Sequence, residues 1–242
     1  GSLREGLMRI AHLRPAVLPG GEAAAKVPVQ ALAGFLADRI HWAQEMGEKL
    51  HLPKRYFSAI KLVEKELHTY PTTSMGRLFD AVAALLGFFD EISFEGQAAM
   101  WLEYVASRAP LKKRYPFPWD GRKNELDYGP LLEAMVEDLL KGEEKGVVAR
   151  AFHRSMAEGI LEMAGDISER EEVDTVVLSG GVFQNNILLE DMKELLQEKG
   201  LDVWLPKRVP VNDGGLSLGQ AALVAARYQG MQISWKVDIH PI

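Results

Sequence analysis

The feature that most constrains the fold is a strand–helix–strand pattern in the last third of the chain. A β-branched apolar run at 175–178 predicts a short strand, which ends at Ser179-Gly180-Gly181. Apolar residues at helical spacing predict a helix over about 184–199 that stops at Gly200, and 203–205 predicts a second strand. Such a βαβ unit requires parallel strand pairing in a covered sheet.

The first two-thirds of the chain is predicted to be mostly helical. A Pro- and Gly-rich loop at 15–28 comes before the first helix, and an Ala-rich helix at about 216–228 follows the last strand. The aromatic and Pro-rich stretch at 109–127 fits no period, so it is either irregular or a pair of short strands. The helices before the βαβ unit are predicted at about 29–49, 55–67, 76–88, 97–107, 128–141 and 146–168. The predicted fold class is therefore α/β and rich in helix.

Composition argues against several functional classes. The 242 residues carry 28 Lys and Arg against 34 Asp and Glu, a net charge of −6, which argues against a DNA-coating protein. The absence of cysteine excludes disulfides, thiolate nucleophiles and cysteine-based zinc sites. No stretch approaches the roughly 20 apolar residues that cross a bilayer, and the first residues lack a signal-peptide core. We expect a cytoplasmic protein without membrane or DNA partners.

The turn after the first strand of the βαβ unit is a candidate ligand site. Gly180 and Gly181 would let a ligand approach the backbone, and the free N–H groups of the following helix would face it. Asn185 and Asn186 could add hydrogen bonds to a base or sugar. The alternative is an ordinary strand-to-helix turn with an asparagine at the cap. The residues alone leave these two interpretations about equal.

A second turn, Asn212-Asp213-Gly214-Gly215, follows the second strand of the same unit. It holds the Asp213 carboxylate just before a helix, where the carboxylate could ligate a metal or cap that helix. Capping is the simpler interpretation of this turn alone. Because parallel strands end at the same edge of a sheet, we expect the bends at 179–185 and 212–215 to be neighbours facing Asp80.

The predicted helix at 76–88 is apolar nearly all round and carries only two charges, Arg77 and Asp80. A buried helix keeps charges that are paired with each other or that contact a ligand, and both remain possible here. Glu95 is a weaker candidate that could simply favour the positive end of the next helix. The histidines are expected to be surface or satisfied core residues. Arg150 and Arg154 are expected to form a solvated face with Glu158.

Four ordered motifs together resemble the HypF carbamoyltransferase family of NiFe hydrogenase maturation. The match runs through nearly the whole chain and is more specific than any single motif. The segment Pro19-Gly20-Gly21-Glu22-Ala23 also fits the family pattern. The four motifs span residues 73–81, 94–99, 178–185 and 212–220.

The resemblance implies a fold and a chemistry. The fold is the C-terminal lobe of an actin/Hsp70-like, ribonuclease H-like ATPase domain with a small mixed sheet, related to the tRNA threonylcarbamoyladenosine transferases. Residues 1–242 would form one such domain, with a helical portion at about 29–168 and a nucleotide-binding βαβ portion at about 174–229. In that family carbamoyl phosphate and ATP yield carbamoyl-adenylate, and the carbamoyl group passes to the C-terminal cysteine of HypE.

The resemblance also implies residue roles. Gly180, Gly181 and Asn185 would hold the adenosine of the nucleotide. Gly76 and Asp80 would approach its ribose, with Arg77 and Glu95 as secondary contacts. Asp213 would ligate a divalent metal near the phosphates.

The chain departs from the family pattern in ways that indicate a fragment. The histidine pair of the family's metal site and the earlier domains are missing, and Gln30 stands where an arginine is expected. Gly1-Ser2 resembles a cloning remnant. We therefore expect one wall of a nucleotide cleft and an inactive isolated chain. The alternatives are a tRNA threonylcarbamoyl transferase relative and a lobe that only binds a nucleotide or a partner protein.

Overall fold

A computed structural model of the chain describes residues 8–228, and the ends of the predicted domain at 1–7 and 229–242 lie outside the described residues. Helices dominate this part of the chain. They are α1 (Glu22–Lys26), α2 (Pro28–Phe35), α3 (Ile40–Lys49), α4 (Lys54–Glu64), α5 (Met75–Leu85), α6 (Gln97–Ser107), α7 (Gly129–Leu140), α8 (Lys145–Glu171), α9 (Asn186–Glu198) and α10 (Leu216–Tyr228).

Short strands form three small sheets within residues 8–228. The first sheet is mixed, because β5 (Glu125–Leu126) pairs in parallel with β1 and antiparallel with β4. The second is an antiparallel pair, β2 (Ala16–Pro19) with β3 (Thr69–Thr72), and the third is a parallel pair, β6 (Thr175–Val177) with β7 (Asp202–Trp204). The helix-rich α/β class is confirmed. The strands are β1 (His12–Leu13), β2 (Ala16–Pro19), β3 (Thr69–Thr72), β4 (Trp119–Asp120), β5 (Glu125–Leu126), β6 (Thr175–Val177) and β7 (Asp202–Trp204).

The predicted βαβ unit is confirmed. Strands β6 and β7 pair in parallel, with Val176 opposite Val203 and Val177 opposite Trp204. Helix α9 connects the two strands, and Val176 and Val203 pack against the core on one face of the pair. The opposite face is open, since Val177 and Trp204 are 59% and 63% exposed. The expectation of a covered sheet is thus met on one face only.

Two predictions in the N-terminal region are wrong. The helix predicted at 29–49 is broken at Leu36, whose dihedral angles leave the helical region, and a 3-10 turn over Ala37–Arg39 follows. The break lets α2 lie buried on nearly all sides while α3 turns only Ala43, Met46 and Gly47 inward. The loop predicted at 15–28 contains β2 and α1, because β2 pairs with β3, a strand some fifty residues away that no local pattern indicates.

The remaining element predictions agree with the structure to within three residues at each helix boundary. The stretch at 109–127 contains the short strands β4 and β5, as one of the two interpretations predicted. One cluster of buried apolar residues runs from Leu13 to Leu201, and α5 packs between α2 and α6 within it. None of the helices within residues 8–228 combines the length and the apolar character that a bilayer crossing needs.

Arg150 and Arg154 do not form the predicted solvated face. Arg150 donates to both carboxylate oxygens of Asp191 in α9, at 2.7 and 2.8 Å, and Arg154 Nη1 lies 3.4 Å from the same carboxylate. Arg154 is 8% exposed and Asp191 is 5% exposed. The pair of arginines therefore joins α8 to α9. The local i, i+4 pattern with Glu158 could not show it, because the partner lies about forty residues further on.

Candidate functional site

Helix α5 begins at an exposed turn that presents Gly76. Ser74 has extended backbone angles, and its hydroxyl accepts from the backbone N–H of Arg77 at 3.4 Å, which caps the helix. Thr72, the last residue of β3, accepts from the backbone N–H of Ser74 at 3.1 Å. The β2–β3 strand pair thereby fixes where the first turn of α5 lies. Gly76 is exposed in that turn, and Asp80, one turn later, is 6% exposed.

Arg77 and Asp80 form the ion pair that the sequence left as one of two possibilities. Arg77 Nη1 lies 2.8 Å from Asp80 Oδ2 and also donates to the carbonyl of Ala25 at 2.9 Å. Burial raises the pKa of Asp80 to about 6, while the Arg77 guanidinium opposes the rise and the nearby negative charge of Glu95 adds to it. Asp80 is therefore a mainly ionised, largely buried carboxylate at neutral pH, and exposed Glu95 lies within electrostatic reach of it.

The turn after β6 has backbone that only glycine adopts readily. Gly180 has φ of 106°, and a Cβ built there would meet no atom within 4 Å. Gly180 and Gly181 are both exposed, and Gly181 begins a 3-10 turn that ends at Gln184. Open space above a glycine backbone, followed by a helix N-terminus, is an arrangement that suits an anionic or polar ligand.

Asn185 caps α9, as one of the two sequence interpretations of this turn predicted. Its Oδ1 accepts from the backbone N–H of Leu188 at 3.0 Å, and the residue is 7% exposed. Its Nδ2 lies 2.9 Å from Nε2 of His153, which is fully buried in α8. The expectation of a satisfied core histidine is confirmed at His153, but its contact with Asn185 was missed. The sequence gives one indication of this contact: His153 directly follows Phe152, and both lie in the buried part of α8.

The two predicted bends are neighbours. The backbone N–H of Gly180 donates to the carbonyl of Val211 at 2.7 Å, as expected for loops that follow adjacent parallel strands. Helix α5 contacts the 3-10 turn at Gly181–Gln184. Helix α5, which carries Gly76 and Asp80, therefore lies beside the Gly180–Asn185 bend.

Asp213 does not cap a helix. The side chain of Asn212 accepts from the backbone N–H of Gly214 at 3.1 Å, so Asn212 caps the 3-10 turn Asp213–Gly215 that leads into α10. Asp213 is exposed. Across the described part of the chain, no group of three or more His, Asp or Glu side chains is arranged to hold a metal ion. The described residues thus do not fit a complete metal centre, and Asp213 offers a single carboxylate.

A cavity of about 240 Å³ lies elsewhere, beside Arg14 and Tyr128, and none of the predicted site residues lines it. Arg14 lies 3.2 Å from Asp38 and 3.1 Å from Asp127, and its guanidinium stacks 4.4 Å above the Tyr128 ring. Its charge is already compensated by these neighbours. With two carboxylates beside Arg14, the cavity offers no unpaired positive charge to an anionic ligand, and the glycine bends remain the better candidate.

The chain is similar to known proteins along most of its length. Residues 3–220 match the family model described as "Carbamoyltransferase, Kae1-like Domain, second subdomain". The chain is 34% identical to the probable carbamoyltransferase HypF of Methanocaldococcus jannaschii, over 90% of this chain and 29% of the relative. It superposes on a crystal structure of full-length HypF in the phosphate- and nucleotide-bound form with a TM-score of 0.83 and 35% identity, covering 97% of this chain and 31% of that one.

A second group of relatives is more distant. The chain is 27% identical to the tRNA N6-adenosine threonylcarbamoyltransferase of Dictyoglomus turgidum, over 68% of this chain and 48% of the relative. The similarity to the HypF relatives is both higher and more extensive. The chain spans about a third of the length of those HypF relatives.

Proposed function

This chain belongs to the HypF carbamoyltransferase family, and we propose that it supplies one wall of an ATP site used for carbamoyl activation and transfer. The observation that carries the proposal is the exposed Gly180–Gly181 backbone in a bend that contacts α5, in a chain similar to a protein solved with bound nucleotide. In this proposal Gly180, Gly181 and Asn185 hold the adenosine.

The remaining roles follow from the same proposal. Gly76, which lacks a side chain in an exposed first turn, lets the ribose approach α5, and the ionised Asp80 accepts its hydroxyl hydrogens. Arg77 keeps Asp80 oriented, and Glu95 is a secondary contact at the entrance. Asp213 contributes one carboxylate to a divalent metal whose other ligands lie outside the described residues.

The proposed chemistry is that of the whole family protein. Water cleaves carbamoyl phosphate to carbamate and inorganic phosphate. A carbamate oxygen then attacks the α-phosphorus of ATP, which forms carbamoyl-adenylate and releases pyrophosphate. A cysteine thiolate at the C-terminus of a HypE-like acceptor then takes the carbamoyl group, and AMP leaves. This chain has no cysteine, so the thiolate comes from outside it, and we propose the HypE-like acceptor as its source. The isolated chain is proposed to bind nucleotide without completing either step.

Two alternatives are less well supported. A tRNA-modifying relative would share both glycine bends, but the greater similarity to HypF and the net charge of −6 favour the carbamoyltransferase. A lobe that only binds a partner protein would not explain why the Gly180–Gly181 backbone is open to a ligand.

Calorimetric titration of the chain with ATP tests the proposal. We expect measurable binding that weakens at least about tenfold, or about 1.4 kcal/mol, in both Asp80→Asn and Gly180→Ala. The first change removes a carboxylate charge with little change of shape. The second adds a methyl group where φ is 106° and the space is open.

Asp174→Asn is the matched control. This exposed residue lies just before β6, at the edge of the sheet opposite the glycine bends, so its loss of charge should leave the affinity within about twofold. The absence of ATP binding, or equal binding by all four proteins, would contradict the proposal.

A further inference from the structure

We propose that His153 is a positioning residue that holds the Asn185 amide, and through it the Gly180–Asn185 bend, in the geometry that receives the nucleotide. The inference rests on the proposed function and assigns a role to a residue on α8. His153 itself is fully buried and has no exposed surface with which to touch a ligand.

The hydrogen-bond pattern determines the state of the ring. Nδ1 of His153 lies 2.8 Å from the carbonyl oxygen of Ala149, which can only accept, so Nδ1 carries the hydrogen. In a neutral ring Nε2 is then an acceptor, and the Asn185 Nδ2 group 2.9 Å away donates to it. This leaves Asn185 Oδ1 directed at the backbone N–H of Leu188. All three bonds agree on one tautomer and one amide orientation.

Burial keeps the ring in that neutral state. It lowers the pKa of His153 to about 4, so the Nε2 lone pair is available at neutral pH. The charges that act on the ring oppose each other, since Arg150 disfavours protonation and Asp191 favours it. These two residues are themselves paired, at 2.7 Å, and hold α8 and α9 together around the histidine.

The same ring also contacts the other half of the site. His153 meets Phe79 edge to face, with ring centroids 5.5 Å apart, and Phe79 directly precedes Asp80 in α5. Phe152 packs against both rings, at 5.0 Å from Phe79 and 5.5 Å from His153. One buried residue therefore joins the helix that carries Asp80 to the bend that carries Gly180 and Gly181.

Without the Nε2 acceptor, the buried Nδ2 group of Asn185 has no partner where it now lies, and only the Leu188 N–H still favours this orientation of the amide. A rotated amide would direct its NH₂ group at the Leu188 N–H, two donors facing each other, and α9 would lose its cap. The bend that ends at Asn185 would then lose its defined geometry. The loss would reach the ligand only through Asn185.

His153→Phe tests the inference, because phenylalanine keeps a ring against Phe79 and removes the acceptor. In the complete 242-residue chain we expect ATP binding to weaken about tenfold and hydrogen exchange at the Leu188 amide to accelerate about tenfold. Adding His153→Phe to Asn185→Ala should weaken ATP binding no further, since the proposed effect runs through that amide.

Ser155→Ala is the matched control. Ser155 is also buried in α8, and its hydroxyl accepts from the backbone N–H of Tyr115, away from the site. We expect a similar loss of stability with unchanged ATP affinity.

The outcomes separate the two claims. If the unmodified chain binds ATP, two results would overturn the positioning role alone. Either His153→Phe binds ATP with unchanged affinity, or Ser155→Ala weakens ATP binding as much as His153→Phe does. An additive loss in the double variant would overturn it as well. Failure of the unmodified chain to bind ATP would contradict the proposed function, and this inference with it.

Discussion

Asp191→Ala is expected to lower the free energy of unfolding by about 3–5 kcal/mol, which is the cost of leaving buried charges without their partner. Asp191 is 5% exposed, and its carboxylate oxygens accept hydrogen bonds from both terminal nitrogens of Arg150, at 2.7 and 2.8 Å. Arg154 Nη1 lies 3.4 Å from the same group. The alanine variant would remove the carboxylate that Arg150 contacts and one of the three carboxylates around Arg154, at the contact between α8 and α9.

Urea unfolding followed by circular dichroism measures this loss, with Glu194→Ala as the control. Glu194 also lies 3.3 Å from Arg154, but its side chain is 55% exposed, so its removal should cost less than about 1 kcal/mol. Equal losses for the two variants would mean that Asp191 does not hold the helices together.

Gly34→Ala is expected to destabilise the protein by more than about 3 kcal/mol, although the same change inside an ordinary helix stabilises by up to about 1 kcal/mol. A Cβ on Gly34 would lie 1.7 Å from the carbonyl oxygen of Val17 and 2.8 Å from its carbon. Strand β2 cannot retreat freely, because Val17 is paired with Pro71 in β3 on its other side. The clash would displace β2 and, through its pairing, β3, which leads into α5.

Thermal and urea unfolding of Gly34→Ala and Gly219→Ala measure this effect. Gly219 lies in α10, and a Cβ there would meet no atom within 4 Å, so its alanine variant should be neutral or slightly stabilising. If Gly34→Ala were as stable as the unmodified chain, α2 and β2 could not approach each other as closely as described.

Local sequence patterns predicted those parts of the fold whose interacting residues lie close together in the chain. The βαβ unit was predictable because its strands, glycines and amphipathic helix lie within about thirty residues. The β2–β3 pairing was not, since nothing near Ala16 indicates a partner at Thr72. The break at Leu36 was missed because leucine favours a helix and only the packing of α2 and α3 against the core ends it.

The candidate site also has features that local patterns predict and features that depend on residues distant in the chain. The glycine bends, and the two possible states of Arg77 and Asp80, could be predicted from residue types and spacing alone. The burial of Arg154, the pairing of Arg150 with Asp191 and the contact of His153 with Asn185 could not. Each depends on α8 and α9 lying side by side, which no spacing within a single helix can show.

Nucleotide binding at these bends is tested most directly by titrating the ¹⁵N-labelled chain with ATP and recording the NMR chemical shifts of its backbone amides. We predict that the largest shifts fall on Gly76, Gly180 and Gly181, with smaller shifts at the Arg14 cavity. Saturable shifts at the cavity beside Arg14, with unmoved signals at the three glycines, would contradict the claim that these two segments form a nucleotide-binding wall.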